Sequence, residues 1–113
     1  MTSSSTPSFL SDLDTFLRAR LVDAPEGSYS SRVMADPVLA QRKIMEEAFE
    51  VCLELGARHP DLTATAEEAA DLLFHLVAAL VGAGVAWADV EAALRERHQR
   101  PARDSTYGSE ETS

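Results

Sequence analysis

Apolar positions along the chain recur every three or four residues, and nowhere do they alternate over a useful length. That periodicity predicts helices and no strands. Phe9, Leu13, Phe16, Leu17 and Leu21 define a first helix to about Leu21, opened by Thr6-Pro7 as cap and first-turn proline. Residues 23–31 hold Pro25, Gly27 and several small polar side chains and read as loop, followed by a short helical turn over Arg32–Ala35. A second long helix starts near Asp36-Pro37 and reaches Leu55 or Ala57. Ile44, Ala48, Val51, Cys52 and Leu55 form its apolar stripe, Gly56 lies near its end, and His59-Pro60 stops it. Thr65 with Glu68 three residues later fits a capping box for a third helix that runs to about Val81 and is terminated by Gly82 and Gly84. A fourth runs from about Trp87 to His98 on Val90, Ala93, Leu94 and Arg97. The expected fold is all-α, a small bundle of about four helices over residues 8–100. A disordered leader (1–7) and a polar, flexible tail (101–113) flank it.

The third helix is apolar on more faces than one partner helix covers, which predicts a second subunit and a bundle completed as a homodimer. With 113 residues, 45% of them hydrophobic, the chain makes one domain with a limited core. Its formal net charge of -9 argues against a nucleic-acid partner held by a basic surface. No secretory pattern opens the chain, and the uncharged run Leu76–Trp87 is shorter than the roughly 20 residues that span a bilayer. A soluble, cytoplasmic protein with no membrane partner is expected. Cys52 is the sole cysteine, so no intramolecular disulfide forms; its place on the apolar stripe predicts a small core residue.

Two acidic signatures change this picture. Glu46-Glu47-Ala48-Phe49-Glu50 lies on the second helix and Glu67-Glu68-Ala69-Ala70-Asp71 on the third. Spacing of three puts Glu47 with Glu50 on one face, and Glu68 with Asp71 on another. Either signature alone is an ordinary solvated face or a first turn complementing the helix dipole. Asp71, however, sits with His75 inside Ala69–Val81, which is otherwise entirely apolar, and a surface face does not explain it. Facing carboxylates repel unless a cation holds them, and an all-oxygen set suits Mg2+, with Mn2+ the alternative. A di-iron bundle would use Glu-x-x-His, which neither helix contains.

His75 reads as a hydrogen-bonded core residue, or as a group that orients Asp71 or meets substrate. Lys43 and Arg32 are either surface ion-pair partners or point charges for phosphate. No Walker or dinucleotide fingerprint is present, so phosphate would be bound through metal and these cations.

Taken together, these residues resemble the phosphoribosyl-ATP pyrophosphohydrolases of histidine biosynthesis, within the wider all-α (MazG-like) nucleoside triphosphate pyrophosphohydrolases. The likeness runs from about Phe9 to Arg97. It rests on Gly27-Ser28-Tyr29-Ser30, Arg32, Lys43-Ile44-Met45-Glu46-Glu47-Ala48-Phe49-Glu50 and Glu67-Glu68-Ala69-Ala70-Asp71-Leu72-Leu73-Phe74-His75. The resemblance implies an all-α dimer that hydrolyses phosphoribosyl-ATP to phosphoribosyl-AMP and pyrophosphate with magnesium. By position it implies Glu47, Glu50, Glu68 and Asp71 as metal ligands and Glu46 and Glu67 as auxiliary acids. Arg32 and Lys43 would offset triphosphate charge, and Ser28, Tyr29 and His75 would lie toward substrate. Met45 stands where the family has glycine, Phe74 where tyrosine is common, and a glycine is missing from Ala35-Asp36-Pro37-Val38. These departures touch substrate preference and remove no implied ligand. The length holds no cyclohydrolase domain of the kind often fused to this enzyme, so a free-standing version is expected. The rival readings are a housecleaning pyrophosphohydrolase for other NTPs or dNTPs, and a non-catalytic helical dimerisation module.

Overall fold

The computed structural model describes residues 8–100, which are all-helical. Five helices follow in order: α1 (Phe9–Val22), α2 (Tyr29–Ala35), α3 (Pro37–Leu55), α4 (Leu62–Ala83) and α5 (Trp87–Gln99). The anticipated leader, the tail and the Thr6-Pro7 cap lie outside the described residues.

Each helix start has an identifiable cause. Ser8 Oγ accepts the Ser11 N–H at 3.1 Å and opens α1. Ser28 does the same for Ser31 at 3.2 Å, so α2 begins at Tyr29, earlier than the turn expected at Arg32. Asp36 Oδ1 accepts from Val38 and Leu39, both at 3.1 Å, with Pro37 at the first helical position, as the sequence suggests.

The capping box at Thr65 is not formed. Asp61 caps α4 by accepting the Ala64 N–H at 3.0 Å, and Thr65 lies inside the first turn, its hydroxyl donating back to the Asp61 carbonyl at 2.7 Å. Asp61 reaches the free amides one turn earlier, so the helix nucleates there. At the other end Gly84 takes a left-handed φ of 87°, its N–H bonded to Val81 O and the Val85 N–H to Leu80 O, the pattern of a Schellman stop. Gly82, expected to help end the helix, is within it. A Cβ there would collide with the Met34 carbonyl, so this glycine lets α2 press directly on α4.

α4 contacts each of the other four helices. The core collects Leu17 from α1, Val33 and Met34 from α2, Ala40 from α3, Val77, Ala78 and Val81 from α4, and Trp87 from α5. One buried polar group joins distant helices: Asp14 receives Arg18 through two nitrogens and, at 2.9 Å, the backbone N–H of Trp87. It thereby caps α5, whose own cap position is Ala86.

Two sequence expectations fail on burial. Cys52 is exposed rather than core, and so is Leu55, because α3 meets α4 along a narrower strip than its apolar residues span. Asp71 is exposed as well: α4 is not enclosed on all sides, and Ala70, Asp71 and Leu73 remain open to solvent. Met45, Phe49 and Leu53, 70%, 63% and 59% exposed, lie four residues apart along the outer face of α3.

Candidate active site

The acids are positioned by an antiparallel α3–α4 hairpin whose register is fixed at two points. Near the loop, Glu54 Oε1 accepts from the Asp61 N–H (3.3 Å), with the Thr65 hydroxyl oxygen 3.5 Å away. Two turns up α3, Glu47 Oε1 lies 2.7 Å from His75 Nδ1. Glu50 sits between these cross-links, which sets it opposite Glu68 and Asp71.

Charge reports the same arrangement. Glu68 has its carboxyl pushed above the usual value, first by burial and then by the negative charges of Glu50, Glu54 and Asp71. Its Oε1 is shielded from solvent and has no hydrogen-bond partner. Among the described residues no three acidic, histidine or cysteine side chains converge closely enough to hold a metal ion as they stand. The donor chemistry nonetheless fits a hard cation: an orphaned carboxylate oxygen lies among three further carboxylates, with no Lys or Arg paired to Glu68.

The other anticipated residues fall around this face. His75 is 6% exposed, its Nε2 2.7 Å from the Tyr29 hydroxyl and its Nδ1 on Glu47 and, at 3.0 Å, the Asp71 carbonyl. Phe74 packs edge-on to His75 and stacks against Tyr29, with centroids 5.1 and 6.4 Å away. The Arg32 guanidinium lies over the Tyr29 ring at 5.4 Å. Ser28 is occupied as the α2 cap. Glu46 is drawn away from the acidic face by Arg42 (3.9 Å) and Lys43 (3.8 Å), while Glu67 is exposed. Met45 is two residues from Glu47, hence on the far side of α3, and does not crowd the acids.

Two participants are additions to the sequence reading. Glu54 continues the Glu47–Glu50 face by one more turn, and that spacing could have found it. The His75–Glu47 contact joins side chains on different helices and leaves no local signal.

An all-α domain in which consecutive antiparallel helices oppose Glu-x-x-Glu to Glu-x-x-Asp defines a carboxylate-lined site suited to polyphosphate chemistry. Comparison with known proteins narrows the class. Residues 10–98 match the family model described as phosphoribosyl-ATP pyrophosphohydrolase, and the chain belongs to that family. It is 38% identical over 89 residues to the phosphoribosyl-ATP pyrophosphatase of Methylobacterium nodulans, covering 78% of this chain and 81% of that one. Larger relatives contain the same stretch. The histidine biosynthesis bifunctional protein HisIE of Deinococcus radiodurans is 49% identical over 81 residues, 69% of this chain and 35% of its own. The histidine biosynthesis trifunctional protein of Neurospora crassa is 44% identical over 85 residues, 75% of this chain and 9% of its own. No solved structure matches the chain. Among the described residues no single helix is long and apolar enough to cross a membrane.

Proposed function

We propose that the α3–α4 face hydrolyses phosphoribosyl-ATP to phosphoribosyl-AMP and pyrophosphate, the second step of histidine biosynthesis, in the cytoplasm. Membership of the family supports the reaction. The observation that carries the site is the unpartnered Glu68 oxygen set among Glu50, Glu54 and Asp71. Glu47, Glu50, Glu68 and Asp71 would hold Mg2+, or Mn2+ in its place. The bound cation would neutralise charge on the triphosphate and lower the pKa of an attacking water.

The remaining steps belong to the chain's own side chains. Water adds at the α-phosphorus, the bond to the bridging oxygen breaks, and pyrophosphate leaves. Glu67, on the exposed flank, would accept the water's proton or orient the water, and Glu46 would join it only on release from Arg42 and Lys43. Lys43, held by Glu46, and Arg32, held over Tyr29, face the substrate's negative charge. Ser28 and Tyr29 would lie toward the substrate, with the buried His75 behind them.

The same reading includes a homodimer. Met45, Phe49 and Leu53 make an apolar stripe on the outer face of α3, and a second copy of the chain would cover it.

Pyrophosphate release from phosphoribosyl-ATP, measured beside a panel of NTPs and dNTPs with and without Mg2+, tests the reaction. Magnesium-dependent release confined to phosphoribosyl-ATP is the expected result. Release chiefly from dNTPs would move the protein to the housecleaning pyrophosphohydrolases, and no release at all would reduce it to a helical dimerisation module.

A further inference from the structure

Both ring nitrogens of His75 are hydrogen-bonded inside the protein. Nδ1 faces two acceptors, the Glu47 carboxylate at 2.7 Å and the Asp71 carbonyl at 3.0 Å. A ring nitrogen between two acceptors must carry the proton. Nε2 lies 2.7 Å from the Tyr29 hydroxyl, the hydrogen bond that holds the other side of the ring. The line therefore joins the Tyr29 hydroxyl to His75 Nε2, and His75 Nδ1–H to Glu47 Oε1. It crosses from α2 through α4 to α3. The two rings are held from the side: Phe74 lies edge-on to the imidazole, Tyr29 meets it at 90°, and Arg32 covers the Tyr29 ring. The Glu47 side chain is only 12% exposed and the His75 side chain 8%, so water does not substitute readily for either partner.

We infer that Tyr29 and His75 are positioning residues that fix the Glu47 carboxylate and tie it mechanically to α2, the helix carrying Arg32. One Glu47 oxygen is engaged by imidazole, which fixes the plane of the carboxylate and leaves the second oxygen to the cation. The imidazole is spent inside the protein and does not reach substrate, unlike the role that the family resemblance implies for it. Its effect on catalysis runs through Glu47. Motion of α2 on substrate binding would reach the cation site by the same route. The inference rests on Glu47 being a cation ligand, as proposed above.

Three substitutions separate positioning from mere packing. His75→Leu fills the space and removes both hydrogen bonds. His75→Asn keeps a donor near the Nδ1 position and loses the Tyr29 link. Tyr29→Phe removes only the outer hydroxyl. Mn2+ affinity would be measured by electron paramagnetic resonance on the full chain, with melting temperatures recorded in chelator alongside. Partners that orient a ligand typically contribute about 10- to 100-fold to metal affinity, and a loss in that range is expected for His75→Leu. His75→Asn should recover most of it, and Tyr29→Phe should show a smaller loss. In chelator, 15N spectra of the imidazole should report a proton on Nδ1.

Unchanged Mn2+ affinity in His75→Leu, beside a parent that binds, would overturn the positioning role alone. So would an imidazole with no proton on Nδ1, or a loss in His75→Leu that Asn does not relieve. A parent chain that fails to bind Mn2+ would overturn the cation reading, and the positioning role with it.

Discussion

Glu68 is crowded by like charge from Glu50, Glu54 and Asp71 while one of its oxygens is cut off from both solvent and hydrogen bonds. The folded chain therefore holds a proton on Glu68 more tightly than the unfolded chain does. Its contribution to stability is full below the unfolded pKa and is lost as pH rises through the higher folded value. Metal-free Glu68→Gln should melt higher than the parent at neutral pH. The two should converge in melting scans below pH of about 4, where an ordinary glutamate is protonated. Equal melting temperatures at neutral pH would remove the charge crowding from the account. On the same face, Glu50→Gln should lower turnover by orders of magnitude with the circular dichroism spectrum intact, and Asp71→Asn should blunt magnesium activation. A wild-type rate in the first, or an unchanged magnesium profile in the second, would strike that residue from the ligand set.

Among the elements, α5 depends on a side chain from the other end of the chain. Ala86 has no side-chain acceptor for the first turn, and Asp14 supplies one. Asp14→Ala strands the Trp87 N–H and releases Arg18, and should cost about 1–3 kcal/mol in urea unfolding. Asp14→Asn, which keeps an acceptor, should lose less. Nothing in the 3.6-residue pattern announces this link. What the pattern does show is where one helix stops and the next starts: Asp36-Pro37 and Gly84 act locally, through a cap and a left-handed turn, and were readable. Asp61 and Thr65 are both good caps, and sequence alone chose the wrong one. The apolar residues of α3 form two neighbouring stripes, and only helix rotation decides that Cys52 and Leu55 face outward. For the same reason the acidic signatures were legible as pairs, while the His75–Glu47 bond, set by how α3 and α4 are turned toward each other, was not.

For the whole molecule, the outer face of α3 matters most, because Met45, Phe49 and Leu53 lie exposed on the helix that also carries Glu47 and Glu50. A dimer formed there would set the two sites back to back. Phe49→Asp should shift the mass seen by light scattering from two chains to one; a parent that already runs as one chain would refute the dimer. The α3–α4 pair has a further consequence, in the order of folding. The two helices are consecutive, joined by the short loop 56–61, and so meet through near contacts that close sooner than the return of α1. The chain must therefore bring its carboxylates together early, with little more than the Glu54 hydrogen bonds to oppose their repulsion. Refolding followed by stopped flow should speed up with added Mg2+ or on Glu68→Gln, and the cation proposed for this face would then aid the protein's assembly as well.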